Sequence, residues 1–438
     1  RDCLLSRGLG DVYKRQPIET RAYYGEYTLR YWIDLMLTKD IELPEYQRSF
    51  VWDEDDVKRL LASLNSGQFI LPVTIAHYKD ENGEQNLILD GQQRLTSILL
   101  AYLGFMPIKE KFNSTDVDLA NGDDSEEEGK GSSMEWTYKM LLKEIQRENT
   151  PQKIQDRLRV NDHYKELKVV VDGDVEEFYD RTFLGFSFII PAEQDANATQ
   201  RYFSELFRNM NYLGKKLSPL ESRRSLYFMN REYKDYFDGK TTDGDDILCN
   251  IKILENMQPR KIDFVRYLSI LSQLMIVKDN ELKRVMVGYS AYSSRESYYA
   301  DYVSYIVNLE QENRKDKFNG FSMEKTFPNH EWKDRFKTVK EFLNRNKAKL
   351  GLDEKYDAFT SWIDADYWLF GLLDTVLFQG KILVREDNLI EALVGEISAK
   401  RQQKEGESAS EYQKNPNRIG NLRDRIGRSL AIYASYAQ

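Results

Sequence analysis

The sequence predicts an α+β fold, with a small sheet among helices in its first half and a mainly helical second half. Three observations lead there. Two short apolar runs, residues 73–78 and 86–89, flank Asn82-Gly83, a pair suited to the tight turn of a hairpin. The stretch FLGFSFII over residues 183–190 reads as a further strand. Beyond it apolar residues recur at helical spacing, as in Phe264, Tyr267, Leu268, Leu271, Leu274 and Met275.

The elements follow in order. Residues 1–16 contain GLGDVYKRQ, which resembles translated sequencing-adaptor DNA and is set aside from fold reasoning. Residues 27–37 have helical spacing, and residues 41–46 are extended where Pro44 fixes the backbone. Asp53 suits the N-cap of a helix through Leu64 that carries Leu60, Leu61 and Leu64 on one face and ends at Gly67. Residues 92–102 read as a helix with Gly104 just past its end. Residues 113–133 hold seven acidic residues against Lys130 alone and almost no core formers, as in a solvated or disordered insert. Residues 136–168 and 198–207 read as helical, another helix starts at Pro219, and residues 367–378 form an apolar helix-length stretch. The turn-like TTDGDD near residue 240 divides a first domain, 17–240, from a helical second domain, 241–438.

Composition bounds the function. Of 438 residues, 41% are hydrophobic and 13% aromatic, which supports a packed core and excludes wholesale disorder. No uncharged apolar run is long enough to cross a membrane as a helix, so no membrane partner is expected. Cys3 and Cys249 cannot form a disulfide scaffold, and with His77, His163 and His330 they are too few for a zinc finger or an HNH nuclease centre. A reduced, cytoplasmic protein is expected. The net charge of −9 is partly local to the acidic insert, so it neither supports nor excludes a nucleic-acid partner.

Chemistry concentrates in two Gln-Arg pairs, within LPEYQRSFVW at residues 43–52 and LILDGQQRLT at residues 87–96. In the second, a strand ends at Asp90, Gly91 permits a positive-φ turn, and a helix begins. Helix N-terminal amides and the helix dipole suit an anion, phosphate above all. Arg94 would fork onto phosphate oxygens, Asp90 would hold Mg²⁺, and Gln92 or Gln93 would orient a water. The competing reading is purely structural: Asp90 caps the helix and pairs with Arg94. Tyr46, Phe50 and Trp52 would likewise be core aromatics and Arg48 a surface ion pair.

Other signals fail or read as structure. Asp238-Gly239-Lys240-Thr241 ends like a phosphate loop but lacks its earlier glycine. The tyrosines Tyr289, Tyr292, Tyr298, Tyr299, Tyr302 and Tyr305 read as helix packing rather than base stacking. Arg418, Arg423, Arg425 and Arg428 read as a solvated helix face rather than a phosphate-binding tract.

The two strings resemble the N-terminal domain of GmrSD-type modification-dependent restriction systems, within the ParB/sulfiredoxin-like superfamily. A third match follows downstream: Leu206-Phe207-Arg208, Asn211, Gly214, Leu217, Ser218-Pro219, Glu221 and Arg223 fit F-R-x-x-N-x-x-G-x-x-L-S-P-x-E-x-R. The resemblance covers residues 27–228, about half of the chain. It implies a nucleotide-binding α+β domain, with NTP hydrolysis in some members and a role in bacterial defence against phage or foreign DNA. Carried onto this sequence, Gln47 and Arg48 join Asp90, Gly91, Gln92, Gln93 and Arg94 around one site, and Asn211 and Arg223 support or close it, unless they serve only as loop and helix caps. A cysteine of the sulfiredoxin type is absent, because Gly91-Gln92 occupies that turn. The leading expectation is an Mg²⁺-dependent NTPase that acts as sensor or regulator in a restriction-type system, with a separate nuclease subunit and modified or foreign DNA as partners. A DNA-binding module, gated by nucleotide or independent of it, is the second reading. A metal-dependent nuclease centred on Asp90 is the third.

Overall fold

The computed structural model describes residues 21–43, 50–80, 83–112, 136–191, 202–203, 206, 219–227, 230–244, 251–255, 258–277, 282–286, 292–309, 317–402, 406 and 418–438. They fall into two compact units, divided at residues 228 and 229.

The first unit opens with strand β1, Arg21–Thr28, and helix α1, Leu29–Leu37. Helix α2, Glu54–Asn65, leads to the hairpin of β2, Val73–Asp80, and β3, Gly83–Asp90. Helix α3, Gln92–Leu103, follows at once, and Gly104 closes it in the left-handed conformation. A two-stranded ribbon pairs β4, Phe105–Pro107, with β5, Tyr164–Glu166. Helix α4, Pro151–Arg159, and helix α5, Val175–Arg181, precede β6, Phe183–Ile190, and α6, Pro219–Arg224, comes later.

The main sheet runs β1-β6-β2-β3. β2 lies antiparallel to β3 and parallel to β6, with Thr74 opposite Asp90 and Val73 opposite Phe186. The end of β3 and the starts of β2 and β6 therefore share one end of the sheet. α1 buries Leu29, Trp32, Ile33, Met36 and Leu37, the i, i+3, i+4 spacing of an amphipathic helix. Trp32 donates its indole N–H to the Leu184 carbonyl at 3.1 Å, which ties that face to β6. Asp53 caps α2 in a reciprocal capping box with Asp56.

The hairpin, α2 before it, α3 after it and β6 match expectation; two other segments differ. Tyr27 and Thr28 end β1 rather than begin a helix, and the Thr28 hydroxyl caps α1 by accepting from the Tyr31 N–H. β1 was illegible because it is an edge strand, largely exposed, without alternating burial. Residues 136–168 are not one helix but short turns, α4 and β5. Pro151 can only begin a helix, and the Asn149 side chain bridges the Lys143 N–H and carbonyl just before it. Of residues 198–207, only Tyr202, Phe203 and Leu206 are described, all helical, and the acidic insert 113–133 lies outside the described residues.

The second unit is mainly helical but holds a small sheet that sequence did not announce. β7, Lys252–Glu255, pairs antiparallel with β8, Gln258–Lys261, and parallel with β9, Ala358–Phe359. Pro259 and the charges of β8 hide it, and two residues of β9 leave no pattern. Four helices belong to this unit: α7, Val265–Ile276, α8, Tyr292–Ile306, α9, Trp332–Arg345, and α10, Trp362–Leu372. α10 is buried along its whole length and runs into a π-helical turn, Leu373–Phe378. Helices α11, Glu386–Arg401, and α12, Ile419–Ala434, complete the unit.

The basic tract is not a solvated face. Arg425 of α12 is buried and pairs with the fully buried Asp366 at 2.9 Å, while Arg266 meets the same carboxylate at 3.0 Å. Arg423 donates to the Val285 carbonyl, and Arg428 pairs with Asp424 and Glu396. Arg418 N-caps α12 through its backbone. Tyr298, Tyr299 and Tyr302 are fully buried, as packing requires. Among the described residues, no helix is long and apolar enough to cross a membrane.

α10 and α12 approach closely at Gly371. Ser429 Oγ accepts from the Gly371 N–H at 2.8 Å and donates to the Tyr367 carbonyl at 2.7 Å. A Cβ on Gly371 would lie 2.5 Å from the Ser429 carbonyl oxygen, so Gly371→Ala must push two buried helices apart. We expect it to cost about 2–3 kcal/mol or more, read as a lowered midpoint of thermal unfolding.

Asp374 sits buried in the π-helical turn, where burial pushes its carboxyl up to about 6 against the opposing hydrogen bond from Gln379. The folded state thus holds this proton more tightly than the unfolded chain, whose aspartate titrates near about 4. Stability contributed here is present below about pH 4 and is lost as pH rises to about 6. Asp374→Asn should remove that loss, stabilising the protein by about 2–3 kcal/mol at pH 8 and much less at pH 4 to 5 in paired unfolding curves.

Candidate functional site

Strand β3 must hand over to α3 within one residue. Gly91 does this at φ 97° and ψ 6°, as the N-cap of α3. Its Cα faces Val73, so closely that a Cβ would lie 2.9 Å from Val73 Cγ2 and 3.3 Å from Val73 Cα. Both the backbone angle and the space demand glycine. As N-cap, Gly91 offers no side-chain acceptor to the first turn of α3. The first turn of any helix presents N–H groups that have no partner within the helix. The start of α3 therefore favours negative charge beside the carboxyl end of β3.

Asp90 and Arg94 lie one turn apart across this corner. Arg94 Nη2 meets Asp90 Oδ2 at 2.5 Å, and Nη1 donates to the Leu71 and Pro72 carbonyls ahead of β2. The Arg94 side chain is 12% exposed and that of Asp90 is 52% exposed, so the carboxylate faces solvent at the lip of the turn while the guanidinium is held from behind. The i, i+4 pair of the competing structural reading is thus present. Asp90 is not the helix cap, because Gly91 occupies that place. Oδ1 of Asp90 accepts no side-chain hydrogen bond among the described residues.

Gln92 and Gln93 are buried, not displayed to solvent. Gln93 Oε1 accepts the Val51 N–H at 2.9 Å, and the Phe50 N–H reaches the Trp136 carbonyl at 2.7 Å. Upstream, Glu42 bridges to β3, giving its N–H to the Asn86 carbonyl and taking the Ile88 N–H. Both flanks of the first Gln-Arg string are therefore tied to β3 and α3, the two elements that meet at Gly91. Gln47 and Arg48 themselves lie outside the described residues, as does Asn211. Arg223, in the last turn of α6, is buried and makes no hydrogen bond or ion pair with Asp90 or Arg94.

Sequence reasoning missed three participants: Val73 as the platform under Gly91, the Leu71 and Pro72 carbonyls as the anchor of Arg94, and Val51 as the partner of Gln93. Backbone carbonyls and a valine leave no chemical signature in a sequence. Among the described residues, no group of three or more His, Cys, Asp or Glu side chains is placed to hold a metal ion. A single carboxylate with the rest of the shell water and phosphate suits Mg²⁺ and would not suit zinc.

An α+β domain with a glycine-pivoted strand-to-helix corner and a flanking Asp-Arg pair defines the class. Residues 33–228 match the GmrSD restriction endonuclease N-terminal domain, and this part of the chain belongs to that family. An uncharacterised protein of Methanocaldococcus jannaschii is 34% identical over 92 residues, a match that spans 16% of this chain and 16% of that protein. No solved structure matches the chain.

Gly91→Ala should lower stability by about 2–4 kcal/mol, from left-handed strain plus the collision with Val73. Gly173→Ala is the control: its φ is 81° but nothing lies within 4 Å of the added Cβ, so only the strain of about 1–2 kcal/mol should appear. Equal losses in the two variants, measured by chemical denaturation, would remove the packing role assigned to Gly91.

Proposed function

We propose that the first unit is a ParB/sulfiredoxin-like domain that binds a nucleoside triphosphate and hydrolyses it with Mg²⁺, and that the protein serves as sensor or regulator in a bacterial restriction-type defence system. The observation that carries this reading is the Gly91 corner, which sets a solvent-facing carboxylate, an anchored arginine and the start of α3 together at one end of the sheet. The family of residues 33–228, named for a restriction endonuclease, supports the biological setting.

The chemistry follows from an exchange of partners. In the free protein Asp90 and Arg94 neutralise one another. With nucleotide, Asp90 would hold Mg²⁺ through one carboxylate, and Arg94 Nη2 would turn to the phosphate oxygens while Nη1 stays on the Leu71 and Pro72 carbonyls. Mg²⁺ supplies neutralisation of the phosphate charge. A water oxygen attacks the γ-phosphorus and passes a proton to a γ-phosphate oxygen, the bond from that phosphorus to the β–γ bridging oxygen breaks, and the nucleoside diphosphate leaves with that electron pair. Arg94 and the α3 amides offset charge that develops on the phosphoryl group. Gln92 remains the candidate to orient the water, whereas Gln93 acts as a positioning residue through Val51. Arg48 and Gln47 would close the site from the string whose two flanks are tied to β3 and α3. Asn211 and Arg223 are proposed in a supporting role.

The test is phosphate release from ATP, GTP, CTP and UTP with Mg²⁺, with and without DNA, for wild type, Asp90→Ala, Arg94→Ala and Arg94→Lys. We expect turnover with at least one nucleotide, loss with a chelator, and a fall of about 100-fold or more in Asp90→Ala and Arg94→Ala. Arg94→Lys guards against misfolding, because lysine keeps the charge but cannot fork between carbonyls and phosphate. No turnover by wild type, or full turnover by a folded Arg94→Lys and Arg94→Ala, would overturn the proposal.

A further inference from the structure

A groove of about 580 Å³ opens at the same end of the sheet, between the segment joining α2 to β2 and the facing parts of β1 and β6. Its volume is within the range of about 300–1,000 Å³ typical of small-molecule sites. Pro72 joins it to the Gly91 corner: the proline lines the groove, and its carbonyl and that of Leu71 hold Arg94. The walls are aromatic and unusually exposed. Phe69 is 82% exposed and Tyr24 76%, and Phe183 also stands clear of the surface. A cluster of exposed rings around a concave surface marks a place where something docks.

The polar lining narrows the class of occupant. Glu26, Gln68 and Thr182 line the groove, and their side chains make no hydrogen bond among the described residues. The one arginine among the described residues that line it, Arg181, is paired with Glu177 at 2.6 Å. The groove therefore suits a flat ligand part with N–H and O–H groups at its edge. The phosphate-binding features lie next door, across Pro72.

We propose that this groove takes the base and sugar of the nucleotide whose phosphates sit at Gly91 and Arg94, with Phe69 as the stacking ring. The inference rests on the nucleotide reading above and adds where the nucleoside lies. Base stacking on an aromatic ring tolerates every base, while Glu26 and Gln68 are placed to select among them by hydrogen bonding to base edges.

Binding of β,γ-imido analogues of ATP, GTP, CTP and UTP, and of inorganic tripolyphosphate, is measured by calorimetry with Mg²⁺ on the full chain. Wild type, Phe69→Ala, Phe69→Tyr and Glu26→Gln are compared. Phe69 is on the surface, so its variants should fold, which a melting curve checks. We expect wild type to bind at least one nucleotide analogue more tightly than tripolyphosphate. Phe69→Ala should weaken that nucleotide about tenfold or more and leave tripolyphosphate unchanged, and Phe69→Tyr should restore it. Glu26→Gln should shift the ranking of bases without moving tripolyphosphate. If Phe69→Ala binds nucleotide as wild type does while tripolyphosphate still binds, the groove has another occupant, such as a protein partner, and the inference fails alone. If wild type binds neither nucleotide nor tripolyphosphate, the nucleotide reading itself fails and the groove assignment falls with it.

Discussion

The contact between Gly91 and Val73 is the constraint on which the first unit depends. A strand must become a helix over a neighbouring strand with no room for a single methyl group. Only glycine relieves both the steric and the conformational demand, and in doing so it surrenders the helix cap. The start of α3 therefore has no side-chain cap, and its dipole favours negative charge there. Asp90 and Arg94 then stand on either side of that corner, one turn apart, because the register of β2 against β3 sets where the strand ends.

The two units treat buried charge in opposite ways. At Asp366 one carboxylate is enclosed by Arg266 and Arg425 with the Tyr267 hydroxyl, away from water. Taking those charges out of water is costly, and removing any one partner would strand the others. Such a cluster locks α7, α10 and α12 into one arrangement and has no freedom to exchange partners. In the Asp90–Arg94 pair the carboxylate is 52% exposed, so solvent screens the attraction, as the proposed exchange of partners requires. A structural ion pair and a candidate site are distinguished here by exposure, not by residue type.

Much of the site was legible because its chemistry is local. Asp90, Gly91, Gln92, Gln93 and Arg94 are consecutive or nearly so, and a strand-to-helix pivot can be read from an apolar run, a glycine and a helical pattern. The capping box of α2 was legible for the same reason, since an N-cap and its partner are three residues apart. The roles of Gln93 and Arg94 were less so. Gln93 looked like a water-orienting group and is instead buried, with its side chain accepting from Val51, forty-two positions away. Arg94 looked free to meet phosphate and is instead braced by two carbonyls. The basic tract near the C-terminus misled because helical spacing reveals which residues share a face, not whether that face meets solvent or a buried aspartate.

By itself the sequence determined the elements whose causes lie within a few residues: the hairpin, α2 with its cap, α3 with Gly91 before it and Gly104 after it, and β6. It also determined the order of motifs that marks residues 33–228 as a GmrSD-type domain. Only the tertiary structure decided that β1 is an edge strand, that β7, β8 and β9 form a sheet inside a helical unit, and that Arg425 points inward. These depend on pairing and burial between residues far apart in the chain. Their free energy comes from long-range contacts, for which neither propensity nor periodicity carries a signal.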